Sequence, residues 1–185
     1  MSDQNTQDRK SFYFLPGYAE QIAHAANLWA AIEYHINSCI WGLLGTPPGL
    51  GACLTSQVYT VNARLDALVA LMKVRRVDPK TITKVNKFQS RIREAQDIRN
   101  RIVHDMWLNH NIGNHMGRMQ ITAARELRYT IEVIELTDLK LSVAKIDERR
   151  MEFEKIRHSI FSELPSLPEI PKQELHPIEE TPWGQ

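Results

Sequence analysis

Hydrophobic residues recur at alternating three- and four-residue steps from Ile22 through Ala25, Trp29, Ile32, Ile36 and Cys39 to Leu43. That is the spacing of a helix burying one stripe. The pattern stops at "GTPPGLG", where two prolines and three glycines cannot continue a helix. A second stripe follows at Leu54, Val58, Val61, Leu65, Leu68 and Met72. It ends near "RRVDPK", where Asp78 can cap the next helix and Pro79 suits its first turn. A third helix carries Ile82, Val85, Phe88, Ile92, Ala95, Ile98, Ile102 and Met106 on its apolar side. The pattern then changes. "NHNIGNHMG" is turn chemistry, while "MQITA" and "LRYTIEVIEL" favour β-branched residues, with Leu127, Tyr129, Ile131 and Val133 alternating at period two. Helical spacing returns after Thr137, a plausible cap, with Leu139, Val143, Ile146, Phe153, Ile156 and Ile160 inside. These periods predict a mainly α fold: a four-helix up-down bundle with a small antiparallel β hairpin or meander, beginning near Trp107, inserted before the last helix.

The 185 residues, 43% of them hydrophobic, suffice for one self-sufficient core over residues 16–164. Residues 1–15 are expected to form a flexible arm, and 165–185 a disordered Pro- and Glu-rich tail. The start, "MSDQNTQDRK", lacks the apolar region of a secretory signal, and no apolar run reaches membrane-spanning length. The expectation is a cytoplasmic protein without a membrane partner. Cys39 and Cys53 fit two buried thiols in a reducing compartment. No glycine-rich phosphate loop, nucleophile elbow or zinc-protease motif appears, and His104, His110 and His115 with Asp105 match no ligand spacing. Neither a cofactor nor a metal is therefore expected. Trp29, Trp41 and Trp107 are expected as core and interface aromatics, and His24 and His35 as surface or boundary residues.

The net charge of +1 says nothing about partners, but its distribution does. Between Lys73 and Arg101 stand ten Lys or Arg against three acids, whereas from Glu126 onward thirteen acids face eight bases. The basic third helix fits a nucleic-acid face with Lys87, Arg91 and Arg93 as contacts. It equally fits a solvated face balanced by the acidic last helix.

Within "QDIRNRIVHDMW", Arg93, Asp97, Arg101 and His104 follow steps of four, four and three and share one helix face, flanked by Asn100. Arg99 falls instead among Ile92, Ala95 and Met106, in the apolar stripe. A guanidinium there needs a partner. Either it pairs with a carboxylate, for which Glu33 on the first helix is the candidate, or the bundle opens there and Arg99 and His104 line the opening. The two sit about 140° apart on a helical wheel, an arrangement that converges poorly within one chain and better across a twofold axis.

"RNRIVH", residues 99–104, resembles the Arg-Asn-x-x-x-His motif of the HEPN superfamily. The resemblance extends from about Trp29 to Leu164, with motif-level identity confined to residues 99–107. It implies a helical bundle with the motif near the end of a late helix, followed by a small β element and one more helix. It also implies a metal-independent endoribonuclease, acting as a homodimer in toxin, defence or stress biology, with RNA as substrate and an antitoxin as possible partner. On this chain His104 would be the acid or base, Arg99 the phosphate clamp and Asn100 an orienting group, with Glu33, Asp97 and Arg101 in support. The chemistry is coherent. RNA carries its own nucleophile, so the protein need only move a proton and hold a phosphate. Imidazole exchanges protons near neutrality, and guanidinium stays charged and can bind phosphate with two parallel hydrogen bonds. The chain departs from the family at two positions. Asp105 replaces the small residue common after the histidine, and Met106 stands where adenylylated HEPN toxins carry tyrosine, so that regulation is not implied. The competing expectation is a non-catalytic HEPN-like module that binds RNA or a partner protein.

Overall fold

The first apolar stripe winds into α1 (Tyr18–Leu44) in the computed structural model, which describes residues 14–109, 115–122 and 128–166. Gly17 opens α1 at φ 86, where a Cβ would also lie 2.8 Å from the Leu136 side chain. The expected arm 1–15 is described only at Phe14 and Leu15, and Leu15 packs against the core. The remaining arm residues and the tail beyond 166 lie outside the described residues.

The prolines and glycines after α1 end it but do not exclude a helix. Pro48 occupies the first turn of a short α2 (Pro48–Thr55). A Cβ on Gly51 would fall 2.3 Å from Trp41 Cδ1, so only glycine lets α2 lie directly on that indole. Trp41 Nε1 donates to Thr55 Oγ1 (3.2 Å), which donates to the Gly51 carbonyl (3.1 Å). The second long helix consequently starts later than its apolar stripe suggested. Leu54 is exposed on α2, and α3 (Val61–Val74) is capped by Thr60, whose hydroxyl accepts from Ala63 N. Cys53, expected to be buried, is exposed on the same short helix; Cys39 is buried.

Asp78 caps α4 (Pro79–His104) by accepting from Lys80 N at 2.8 Å. The Glu163 carboxylate, at the end of α5 (Leu136–Glu163), accepts from both Asp78 N and Thr81 Oγ1 at 2.8 Å. That carboxylate ties the start of one helix to the end of the other. The cap of α5 is Glu135, not Thr137. α1 packs against each of the other four described helices, and the interior between them is apolar, with Phe88 and Phe153 in ring contact at 4.9 Å.

Between α4 and α5 lie β1 (Met106–Asn109), β2 (Met116–Thr122) and β3 (Arg128–Ile134), an antiparallel sheet in the order β1-β2-β3. Met106 therefore belongs to a strand and not to the helix stripe, and it is exposed. The sheet is fixed by its inner face. Trp107 Nε1 donates to the Ile102 carbonyl (2.9 Å) and its ring meets Tyr18 edge-on at 6.2 Å. Tyr18 Oη donates to the Ile134 carbonyl (2.7 Å), and Leu15 N to Met116 Sδ (3.3 Å). The apolar set that alternates along β3 points the other way. Tyr129, Ile131 and Val133 are exposed, in register with Ile121, Met119 and Gly117 of β2; Leu127 lies outside the described residues. Among the described residues the fold is mainly helical, with five α-helices and a small antiparallel sheet before the last. No helix among the described residues is long and apolar enough to cross a membrane.

Candidate functional site

The last turns of α4 present Arg99, Asn100 and His104 together. Arg99 Nη1 donates to Asn100 Oδ1 (3.1 Å) and lies 2.8 Å from His104 Nε2. Guanidinium has no lone pair to offer. In that contact Nε2 must be the acceptor, and the ring proton sits on Nδ1. The wheel argument against convergence within one chain is thereby overturned. An arginine side chain is long enough to bend from the apolar stripe to the polar face, so Arg99 and His104 meet without a second copy.

The other side of Arg99 faces α1. Its Cζ lies 6.0 Å from the centroid of the Trp29 ring, within the range of cation–π attraction. Its Nε is buried with no hydrogen-bond partner among the described residues. Trp29 Nε1 in turn donates to Glu33 Oε1 (3.2 Å), one helical turn along α1. Glu33 does not pair with Arg99, as the carboxylate alternative required. Its charge is met by Arg64 of α3, Nη1 to Oε1 3.7 Å, and Arg64 is held by its Nε donating to the Val58 carbonyl (2.8 Å). Glu33 instead fixes the indole that lies beneath Arg99.

The remaining candidates divide between two sides of α4. Arg93 and Asp97 are exposed on the sector that carries His104. Arg101 lines a cleft of about 350 Å³ between α4, the sheet and α5, together with Arg118, Glu132 and Asp138. Lys87 and Arg91 lie in a separate groove between α4 and α5, near Lys84 and Lys155, where Arg91 pairs with Glu152. The basic residues of this helix therefore do not form one continuous stripe with the Arg99 site.

Asp105, the departure that placed an acid beside the candidate phosphate position, turns towards the sheet. Its Oδ2 lies 3.7 Å from Arg118 Nε, and Arg118 Nη2 also donates to Glu132 Oε2 (2.5 Å). Arg118 therefore offsets the charge of Asp105. Among the described residues no group of three His, Cys, Asp or Glu side chains could hold a metal; His110 lies outside them.

Three participants were not singled out from the sequence: Trp29 as the platform for Arg99, Arg64 as the partner of Glu33, and Arg118 as the partner of Asp105. Two carried a readable signal. Trp29 and Glu33 are four residues apart on one helix, and Arg64 interrupts the Val61–Leu68 stripe much as Arg99 interrupts its own.

A second polar cluster joins α1 to α5, away from this site. His35 Nδ1 lies 2.9 Å from Glu154 Oε2, in ion-pair range but not aligned as a hydrogen bond. Burial holds the His35 imidazole below its ordinary value, against the opposing pull of Glu154. The hydrogen bond from Arg157 lowers Glu154, and the same bond raises Arg157. Burial pushes the Cys39 thiol up to about 12. Comparison with known protein families, curated proteins and solved structures finds no match.

Proposed function

We propose that this chain is a metal-independent endoribonuclease of HEPN type, its long helices forming the up-down bundle of that superfamily. The observation that carries the reading is the Arg99–His104 contact of 2.8 Å on an exposed helix end. A neutral imidazole with its Nε2 lone pair directed at a guanidinium is a proton acceptor already beside a phosphate-binding cation. A phosphate diester of RNA is a better partner for Arg99 than a neutral ring, because both members of that hydrogen bond are charged. Substrate binding draws the guanidinium off His104 and frees Nε2. His104 then takes the proton of the 2′-hydroxyl, which attacks phosphorus as the bond to the 5′-oxygen breaks. A second imidazole, from a second copy in a homodimer, protonates the leaving oxygen. Asn100 accepts from the same Nη1 that meets the ring and so orients it, and Trp29 supports the guanidinium from below.

Arg93 is the basic residue best placed to extend the RNA contact, since it shares the sector of His104. The biological setting we infer is cytoplasmic toxin, defence or stress response, with an antitoxin as regulator. The non-catalytic module is weakened by one specific finding. An Arg99 kept for packing should meet a buried carboxylate, and Glu33 instead pairs with Arg64.

The purified chain, incubated with single-stranded RNA and a chelator of divalent cations, should yield fragments ending in 2′,3′-cyclic phosphate and 5′-hydroxyl. RNA left intact, or cutting that requires added metal, overturns the proposal.

A further inference from the structure

The geometry points to the outer face of the sheet as a twofold seam between two copies of this chain. Sheets usually turn their apolar side towards the core and their polar side towards water. Here the arrangement is reversed for much of the surface. Met106 is 44% exposed, Ile121 56%, Tyr129 62%, Ile131 53% and Val133 50%. The strand register places all five on one face: Met106 pairs with Met119 and Met119 with Ile131, Ile121 pairs with Tyr129, and Val133 sits opposite Gly117. The charged side chains Arg118 and Glu132 are paired with each other across the opposite face, beside buried Trp107 and Met116. No helix of the described chain covers the apolar side.

Side chains of this size at these exposures present on the order of 500 Å² of apolar surface, the upper range for a monomer. Two such faces bury on the order of 1,000 Å² together, which reaches the threshold of a specific interface. The occupant is a second copy because the patch is its own complement. It carries no charged side chain among the described residues, so a twofold axis can lay it on itself with no like charges opposed. A charged partner would find nothing on it to read. The near-neutral chain, with a net charge of +1, also opposes self-association little at long range. Two such sheets would stack about 10 Å apart, with their side chains interdigitated.

The seam adjoins the candidate site, since Met106 follows His104 by two residues. It does not depend on the ribonuclease reading. A dimer that leaves RNA intact overturns that reading and keeps the seam; a monomer that cuts RNA overturns the seam and keeps His104 as the proton acceptor, but removes the second imidazole as the acid.

Light scattering at about 50 µM should return twice the 21.4 kDa chain mass. Ile131→Glu should return the single-chain mass with unchanged helical circular dichroism, because that side chain is exposed in one copy. A measurement without mutation stands beside it. Backbone amides of β2 and β3 should exchange hydrogen more slowly as wild-type concentration rises, while those of α3 do not. A single-chain mass for the wild type overturns the seam, including the case in which another segment of the same chain protects the face. A dimer that survives Ile131→Glu, or open-ended aggregation, overturns it as well.

Discussion

Arg99→Lys separates the roles that one guanidinium combines. Lysine keeps the positive charge and can repeat the two contacts that Nη1 alone makes, but it has no further nitrogen with which to hold a phosphate by two parallel bonds and no flat face to lay over Trp29. The structure gives both sides of the balance. Removing the flat cation from its 6.0 Å position over Trp29 forfeits about 0.5–1 kcal/mol. Deleting the buried, unpartnered Nε relieves a cost of about 1–3 kcal/mol. These oppose one another and leave a net gain between zero and about 2.5 kcal/mol, so the melting point should hold or rise by up to about 10 °C. Catalysis has no such compensation. Losing a hydrogen bond to a charged phosphate costs about 1.5–3 kcal/mol, a fall of roughly 10- to 150-fold in cleavage. The assay pairs a fluorescence-quenched single-stranded RNA, cut in chelator, with thermal melting of the same preparations. Wild-type cleavage by Arg99→Lys would refute the clamp. A melting point lower by more than about 10 °C would show that Arg99 serves packing.

Two further predictions follow from groups outside the site. Native protein should expose one thiol to a colourimetric disulfide reagent, Cys53; Cys39, buried and with its thiol pushed up to about 12, should react only after unfolding. Two fast-reacting thiols would place the α1 packing in error. The second prediction concerns acid. His35 titrates in the folded chain below its ordinary 6.5, so the unfolded chain takes up that proton first and stability falls as pH drops through 6.5 towards the folded value. Glu154, lowered from 4.5, adds stability that is present above 4.5 and lost as pH falls through its folded value. Both signs agree. Melting temperature should decline from pH 7.5 to 5.5, and His35→Asn should flatten that decline; an identical slope in the variant contradicts the assignment.

Helices were legible in the sequence wherever one apolar stripe met one solvated face, and Asp78 with Pro79 marked the start of α4 to the residue. The short α2 was hidden because its formation depends on Gly51 admitting the Trp41 ring, a contact between elements that local pattern does not carry. The sheet's alternation was readable, but not which side faces the helices. Both alternating sets hold apolar residues, and Trp107, bonded to the end of α4 and packed on Tyr18, decides between them. In the site, the motif named Arg99, Asn100 and His104. A wheel treats side chains as radial spokes, so it missed the bend that brings Arg99 to His104. Glu33 was placed in the right neighbourhood and given the wrong partner, since Arg64 approaches from α3, a relation invisible before the helices pack.

The central claim is that His104 moves the proton in RNA cleavage. It is tested most directly by His104→Ala in the chelator assay. The side chain is exposed and its polar contact among the described residues is with Arg99, so the variant should melt within about 2 °C of the wild type. Cleavage should fall by roughly 100- to 10,000-fold, and the 2′,3′-cyclic phosphate product should disappear with it. A folded His104→Ala that cuts RNA at the wild-type rate contradicts the account.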